Sequence, residues 1–336
     1  MDLWTYGPMD FCRIHPMSHS FSRRDLLKTA AALPMATLID PSKASARDAG
    51  EQAAAGQATA ALPPVRIKRA VLVSMLPEKL GWKERFALAK DIGFDGIEMQ
   101  TMEDQAAAEQ VAHASQETGL VIHSVMNMAH WKYPISSPDP DVVRKSVAGM
   151  KTSLTNAALW KAEIVLLVPA VVNPATSYAD AWARSTQVIK EQLVPLADGF
   201  KVKIGIEEVW NKFLLSPLEF TRYIDEFRSP WIKAYMDVGN VVLYGYPQDW
   251  IRTLGKRISR LHLKDFRVDR ESGKFEWKNI GEGDIDWQAV RAALADAPFA
   301  TWCTTELEGG DRAYLTDVLE RVDRFLGGFK PGPGRG

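Results

Sequence analysis

The pattern that decides the fold lies in residues 203–240, which read KIGIEEVWNKFLLSPLEFTRYIDEFRSPWIKAYMDVGN. A short apolar run at 203–208 predicts a strand, Pro217–Phe227 predicts an amphipathic helix, and a second apolar run at 233–238 predicts another strand. A strand, a helix and a second strand in this order favour a parallel sheet, because two parallel strands need a crossover connection.

The same alternation continues along the chain from residue 66. Strands are predicted near residues 69–75, 95–99, 120–125, 163–168, 203–208, 233–238, 258–263 and 301–306. Helices are predicted over Trp82–Ile92, Asp104–Thr118, Val142–Trp160, Tyr178–Ala197, Pro217–Phe227, Pro247–Leu254, Trp287–Ala295 and Tyr314–Phe325. Eight such pairs in about 270 residues are typical of an α/β protein with a single (β/α)8 TIM barrel. An open doubly wound sheet is the alternative, but no Gly-x-Gly-x-x-Gly sequence follows a predicted strand.

Four consecutive predicted strands each end with one metal-binding type of residue that points to the barrel axis. Side chains alternate along a strand, so in Ile204-Gly205-Ile206-Glu207-Glu208 the isoleucines face the helices and Glu207 faces inward. The same parity turns Asp237, His262 and Glu306 inward, whereas Glu208 points toward the helices or the rim. Active sites of such barrels lie at the C-terminal ends of the strands, so these four side chains are predicted to meet there.

Three carboxylates and one imidazole form a mostly oxygen-donating set. Such a set suits one divalent ion, Mn²⁺, Mg²⁺ or Co²⁺, with Zn²⁺ also allowed. Without a cation, three converging carboxylates would repel one another. Each residue taken singly could instead cap or form a salt bridge at its strand end, but the shared parity of all four favours a metal site.

Several motifs resemble the xylose-isomerase-like superfamily of sugar isomerases and epimerases. They are GFDGIE at 93–98, GIEEVWN at 205–211, MDVGN at 236–240, LHLKDF at 261–266 and GEGDIDW at 281–287, followed by Glu306. The resemblance covers residues 66–328. In the ketose 3-epimerases of this superfamily four such residues bind Mn²⁺ and the two glutamates also move protons, which implies catalytic roles for Glu207 and Glu306. The chain departs from these relatives at Glu208, where they often have Asn, and at Asn240, where some epimerases have a substrate-contacting His.

Six further residues are candidate substrate contacts. His123 and Glu98 end predicted strands with inward parity, Lys264 and Arg267 lie on the loop after His262, and the ring of Trp210 could cover the apolar face of a sugar. Asn240 joins them through the resemblance. The alternatives are a hydrogen-bonded core histidine for His123 and solvated rim charges for Lys264 and Arg267.

These residues predict a divalent-metal-dependent sugar isomerase or epimerase that removes a carbon-bound proton and forms an enediolate. The predicted substrate is a small non-phosphorylated keto sugar. The first alternative is a lyase or hydratase of 3-keto-glycosides that uses the same metal site, because the same carbanion can eliminate a neighbouring group. A non-catalytic sugar-binding protein is a second alternative.

The composition argues against a nucleic-acid partner. The formal net charge is −1 and only six histidines occur, whereas a DNA-repair endonuclease of the same superfamily would need a basic face and more histidine ligands. Two cysteines, Cys12 and Cys303, cannot form a disulfide framework.

The N-terminus predicts export. Residues 22–28, SRRDLLK, resemble the twin-arginine motif, and an apolar stretch and the small residues Ala44-Ser45-Ala46 follow. We therefore expect a cleavable signal peptide at 1–46, starting at Met1 or Met17, that is recognised by the twin-arginine translocase and directs the protein to the periplasm. A flexible linker at 47–65 and a Gly/Pro-rich tail at 329–336 would flank the barrel. The apolar stretch is too short to span a membrane, and the sequence leaves a monomer and a homo-oligomer both open.

Overall fold

The computed structural model describes residue 65 and residues 67–269, 271–297 and 301–327. The strands in this part of the chain are β1 (Ile67–Leu72), β2 (Gly96–Gln100), β3 (Val121–Met126), β4 (Ile164–Leu167), β5 (Lys203–Ile206), β6 (Ile232–Asp237), β7 (Ile258–Leu263), β8 (Asp265–Asp269), β9 (Lys274–Lys278) and β10 (Thr301–Thr305). All but β8 and β9 form a closed barrel in the order β1-β10-β7-β6-β5-β4-β3-β2. Every pairing in the barrel is parallel, and β1 closes it against β10 with Ile67 opposite Thr301. The predicted TIM barrel is confirmed.

Helices connect the strands as predicted. They are α1 (Trp82–Ile92), α2 (Gln105–Thr118), α3 (Pro140–Trp160), α4 (Tyr178–Val188), α5 (Val194–Phe200), α6 (Pro217–Glu226), α7 (Pro247–Leu254), α8 (Trp287–Asp296) and α9 (Arg312–Leu326). A π-helical turn, Ile189–Leu193, joins α4 to α5. The predicted helix Tyr178–Ala197 is therefore continuous and contains one π-helical turn. Local chemistry sets the helix ends: the Ser216 side chain caps α6 at its start, and Gly93 ends α1 with a φ of 112°.

Strand parity separates the hydrophobic core from the barrel axis. The outward residues Ile204, Ile206 and Leu261 are fully buried in the hydrophobic core. The inward residues near the C-terminal strand ends include several buried charged side chains, among them Glu207, Asp237 and His262. The barrel therefore gathers polar chemistry at one end of its axis, where the sequence predicted it.

The sequence predicts a loop after β7. In the structure this segment folds as an antiparallel hairpin of β8 and β9. Its apolar residues alternate with charged ones, a period-two signal that could have identified it. Asp265 at its start accepts hydrogen bonds from the main chain of Gly281 (2.9 Å) and from the indole of Trp287 (2.8 Å). A Cβ atom at Gly283 would lie 2.1 Å from Asp265 Oδ1, so only glycine allows this close approach.

The predicted signal peptide, most of the linker and the predicted tail lie outside the described residues. Their boundaries therefore remain predictions. Within the described part of the chain, none of the helices combines the length and the apolar character that crossing a membrane requires.

Candidate metal centre and active site

Glu207, Asp237, His262 and Glu306 converge at the C-terminal end of the barrel. Each offers one ligand atom, and these four atoms lie within 4.8 Å of one another. His262 Nδ1 lies 2.8 Å from Glu207 Oε1, 3.1 Å from Glu306 Oε2 and 3.8 Å from Asp237 Oδ2. Glu207, Asp237 and His262 are buried, and the Glu306 side chain is 20% exposed. The structure thus brings together all four residues that strand parity selected.

The carboxyl groups of this cluster differ in pKa. Burial raises the pKa of Glu207 to about 7, although His262 opposes the shift. Burial also raises the pKa of Asp237, against the charge of Lys264. Burial would raise the pKa of Glu306 too, but the charges of Lys264 and His262 hold it below its usual value. The carboxyl groups of the cluster therefore lie in different electrostatic surroundings, and Glu306 has the strongest contact with positive charge.

The Lys264 ammonium group neutralises part of the cluster. Its Nζ lies 2.7 Å from both Asp237 Oδ2 and Glu306 Oε2 and 4.8 Å from the centre of the Trp277 ring. Burial alone would lower the pKa of Lys264, yet Asp237 and Glu306 raise it above its usual value. The predicted substrate contact Lys264 therefore lies against two of the predicted metal ligands and keeps its charge.

Glu208 points away from the cluster, as strand parity predicted. Its Oε1 accepts a hydrogen bond from the main-chain N–H of Asp237 at 2.9 Å, and Oε2 is buried with no hydrogen-bonding partner among the described residues. Burial, with the charges of Asp237 and Glu207, raises the pKa of Glu208 well above its usual value. A neutral Glu208 that positions the end of β6 is consistent with these contacts.

Glu98 lies on the far side of the His262 imidazole from the cluster. Its Oε2 is 3.1 Å from His262 Nε2 and accepts a hydrogen bond from the phenol of Tyr235, and the residue is fully buried. This position favours contact with His262 over the predicted contact with a sugar hydroxyl. Tyr235 was not among the predicted site residues, although it shares the inward parity of Asp237 two residues later on β6.

His123 is a hydrogen-bonded core residue. Arg260 Nε donates to its Nδ1 at 3.2 Å, its Nε2 lies 2.9 Å from Thr304 Oγ1, and its ring stacks on Trp302 with centres 4.7 Å apart. Burial and then the Arg260 charge lower the pKa of His123 well below its usual value, so the ring is neutral. Both ring nitrogens are engaged, which favours the alternative reading of His123 over the predicted substrate contact.

Asn240 and Trp210 form part of the rim. The Asn240 amide donates to the Glu208 carbonyl at 2.9 Å, and its main-chain N–H donates to Asp237 Oδ1 at 2.9 Å. The Trp210 indole donates to the Asn240 carbonyl at 3.0 Å, and its ring stacks on Trp277 of the hairpin with centres 4.8 Å apart. The hairpin therefore places a second aromatic ring against Trp210, and Asn240 helps to hold Asp237, a predicted ligand.

Arg267 does not join the cluster. It is exposed on β8, and its guanidinium donates to the carbonyl of Glu282. This contact tethers the hairpin to the following loop, so the predicted interaction of Arg267 with substrate has no support from its position.

The donor set fits one divalent cation. The side chains of Glu207, Asp237 and Glu306 supply oxygen atoms, and His262 presents Nδ1 to all three while its Nε2 faces Glu98. An imidazole held from behind by a carboxylate is a recurrent arrangement at protein metal sites. The four side chains could therefore hold one divalent ion.

Metal binding is expected to release protons and to tighten as the pH rises. Burial would lower the pKa of His262, but Glu306 and Glu98 raise it well above its usual value, so the metal-free imidazole is protonated near neutrality. Binding needs a free Nδ1, and below about pH 7 Glu207 must also lose a proton. Titration calorimetry with Mn²⁺ in buffers of different ionisation enthalpy should detect this release. An affinity that stays constant between about pH 6 and pH 8 would contradict the prediction.

The chain is similar in sequence to a known protein family and to sugar-phosphate epimerases. The family of xylose isomerase-like TIM barrels matches residues 86–324, more than half of the chain. SgbU of Escherichia coli strain K12 is 28% identical over 235 residues, which cover 65% of this chain and 81% of SgbU. L-ribulose-5-phosphate 3-epimerase UlaE of Salmonella paratyphi C is 26% identical over 235 residues, covering 67% of this chain and 81% of UlaE.

Solved structures share the fold at lower identity. A D-psicose 3-epimerase crystallised in the presence of D-fructose has a TM-score of 0.64 and 17% identity, covering 78% of this chain and 100% of that chain. The 3-keto-D-glucoside 4-epimerase YcjR from E. coli has a TM-score of 0.64 and 16% identity, covering 77% of this chain and 99% of its own. At these identities the likeness establishes the barrel fold.

Proposed function

Because the chain belongs to the family of xylose isomerase-like TIM barrels, we propose that it is a divalent-metal-dependent isomerase or epimerase of a non-phosphorylated keto sugar. It is an enzyme of the sugar isomerase/epimerase type. The observation that carries the finer proposal is the convergence of Glu207, Asp237, His262 and Glu306 within 4.8 Å at the C-terminal end of the barrel. We propose Mn²⁺ as the bound ion.

The two glutamates are suited to move a proton on opposite sides of the cluster. Glu207 follows β5 and Glu306 follows β10, and in the barrel β6 and β7 lie between these strands. Each of these side chains carries a carboxyl group at the cluster, so one can accept the carbon-bound proton while the other returns a proton to the opposite face. A divalent ion bound there would polarise the substrate carbonyl and acidify the neighbouring carbon-bound proton. Removal on one face and return on the other inverts that carbon.

Lys264 and the rings of Trp210 and Trp277 form a chain of contacts beside the cluster. The ammonium group lies 4.8 Å from the centre of the Trp277 ring, and that ring stacks on Trp210. We propose that Lys264 donates to a substrate oxygen and that an aromatic face covers the apolar side of the sugar ring. Glu98 and His123 instead contact other protein side chains, Glu98 at His262 Nε2 and His123 at Arg260 and Thr304.

A substrate panel tests the proposed reaction. Free ketoses, 3-keto-glycosides and L-ribulose 5-phosphate would be incubated with the Mn²⁺-loaded protein in D₂O and followed by NMR. We expect turnover of a non-phosphorylated keto sugar, with deuterium at the carbon beside the carbonyl. Loss of an aglycone would identify the lyase reaction instead. Turnover of the phosphorylated sugar alone, or turnover without exchange at carbon, would contradict the proposal.

Export is the basis for proposing a non-phosphorylated substrate, because phosphorylated sugars are scarce outside the cytoplasm. We propose that the twin-arginine pathway delivers the folded protein to the periplasm. Changing both Arg23 and Arg24 to Lys should leave the precursor in the cytoplasm. Wild-type protein should have a mature N-terminus at or near Arg47, as N-terminal sequencing would determine. Wild-type protein with an intact leader in the cytosolic fraction would contradict this prediction.

A further inference from the structure

We propose that Glu98 and Tyr235 are positioning residues that hold the His262 imidazole with Nδ1 directed at the metal ligands. The inference rests on the proposed metal site, and it assigns a positioning task to two buried residues that the proposed proton transfers do not use. It concerns the layer of side chains directly beneath the cluster.

The two nitrogens of His262 face different surroundings. Nδ1 faces the carboxylates of Glu207 and Glu306, at 2.8 and 3.1 Å. Nε2 faces Glu98 Oε2 at 3.1 Å. The contact between Nε2 and the Glu98 carboxyl group holds the imidazole ring from the side opposite the cluster. With Nε2 held on that side, Nδ1 is the ring nitrogen that is directed at Glu207 and Glu306.

Tyr235 fixes Glu98 in turn. Its phenol donates to Glu98 Oε2, and its oxygen lies 3.3 Å from Ser124 Oγ and 3.4 Å from Thr304 Oγ1. The Tyr235 ring also packs against the His262 ring, with centres 4.6 Å apart. Tyr235 thus contacts both members of the pair, Glu98 through its hydroxyl and His262 through its ring.

Gly205 makes room for this arrangement. A Cβ atom at residue 205 would lie 3.0 Å from Tyr235 Cβ and Cδ2 and 2.9 Å from Ile164 Cδ1. The inward position before Glu207 on β5 is therefore filled by the Tyr235 ring from the next strand. Glu98 is 0% exposed in this packing, so a substrate at the mouth cannot reach it while His262 lies between.

The test is the Mn²⁺ dissociation constant of folded variants, measured by titration calorimetry. Glu98→Gln should weaken binding by about 10- to 100-fold, as is typical when an outer partner of a ligating histidine is lost. Tyr235→Phe should weaken it less, because the carboxylate remains but loses its anchor. Glu163→Gln is the control: Glu163 lies directly before β4, its side chain is 66% exposed, and it pairs with Arg260 at 2.8 Å. The Mn²⁺ affinity of the Glu163→Gln variant should stay within about twofold of the wild-type affinity.

A second measurement separates positioning from a general loss of stability. Protein labelled with ¹⁵N in histidine, kept free of metal, should show a hydrogen-bonded Nε2–H signal for His262, assigned by its absence in His262→Ala. The signal should shift in Glu98→Gln and stay in place in Glu163→Gln. If Glu98→Gln does not fold, Tyr235→Phe serves for both measurements.

Wild-type affinity and an unchanged Nε2–H signal in the folded variants would overturn the inference and leave the proposed function standing. Wild-type protein that binds no divalent ion would instead overturn the proposed function and, with it, the ligand role assigned here to Nδ1.

Discussion

Replacing Glu306 by Gln is expected to reduce kcat on the true substrate by at least about 10²-fold, the typical loss when a positioned acid or base is removed. Gln keeps an oxygen toward the cluster but cannot accept or return a proton at neutral pH. The other three ligands and Lys264 remain, so substrate binding should persist and KM should change less than kcat. Steady-state kinetics on the substrate identified by the panel would measure both.

Glu308→Gln is the matched control, because Glu308 is an exposed carboxylate two residues further along the chain. It should leave kcat unchanged. Deuterium incorporation from D₂O should fall together with kcat in Glu306→Gln, since both depend on the same proton transfer. Wild-type exchange at carbon in that variant would assign the transfer to another group.

The second large effect concerns the metal. Asp237→Asn and His262→Ala should each weaken Mn²⁺ binding more than Glu98→Gln does, because each removes a proposed ligand itself. Loss of a residue that only supports a ligand typically costs about 10- to 100-fold. Activity should fall with the bound metal. Metal analysis of purified protein should give about one divalent ion per wild-type chain and little in either variant.

Glu208→Gln is the control for this experiment. Glu208 is as buried as the ligands and adjacent to one of them, yet its Oε1 bonds to the Asp237 main chain. Burial favours its neutral form, and Gln has nearly the shape of a protonated Glu, so most of the metal should be retained. A Glu208→Gln variant without metal, together with a Glu207→Gln variant that keeps it, would contradict the side-chain directions on β5.

Strand parity by itself selected the four residues of the candidate metal centre. Alternation along a strand is a local property of the extended backbone, and the ends of parallel strands meet at one end of a barrel. The motif around Ile204 and Ile206 therefore predicts which of the two adjacent glutamates faces the barrel axis. The structure places Glu207 inward and Glu208 away from the cluster. The barrel and its helices followed from the same periodic patterns.

Only the tertiary structure decided what lies beneath and beside that cluster. The register shifts between Ile97 and Glu98 on β2 and between Ala234 and Tyr235 on β6, so pairing across strands no longer follows a simple count. Inward parity selected Glu98 and His123 for the interior but could not give their depth along the axis. The position of a side chain along the axis depends on the neighbouring strands. In the structure Glu98 lies behind His262, and His123 lies between Arg260 and Thr304. A local pattern fixes the direction of a side chain, whereas its partners are set by residues far away in the sequence.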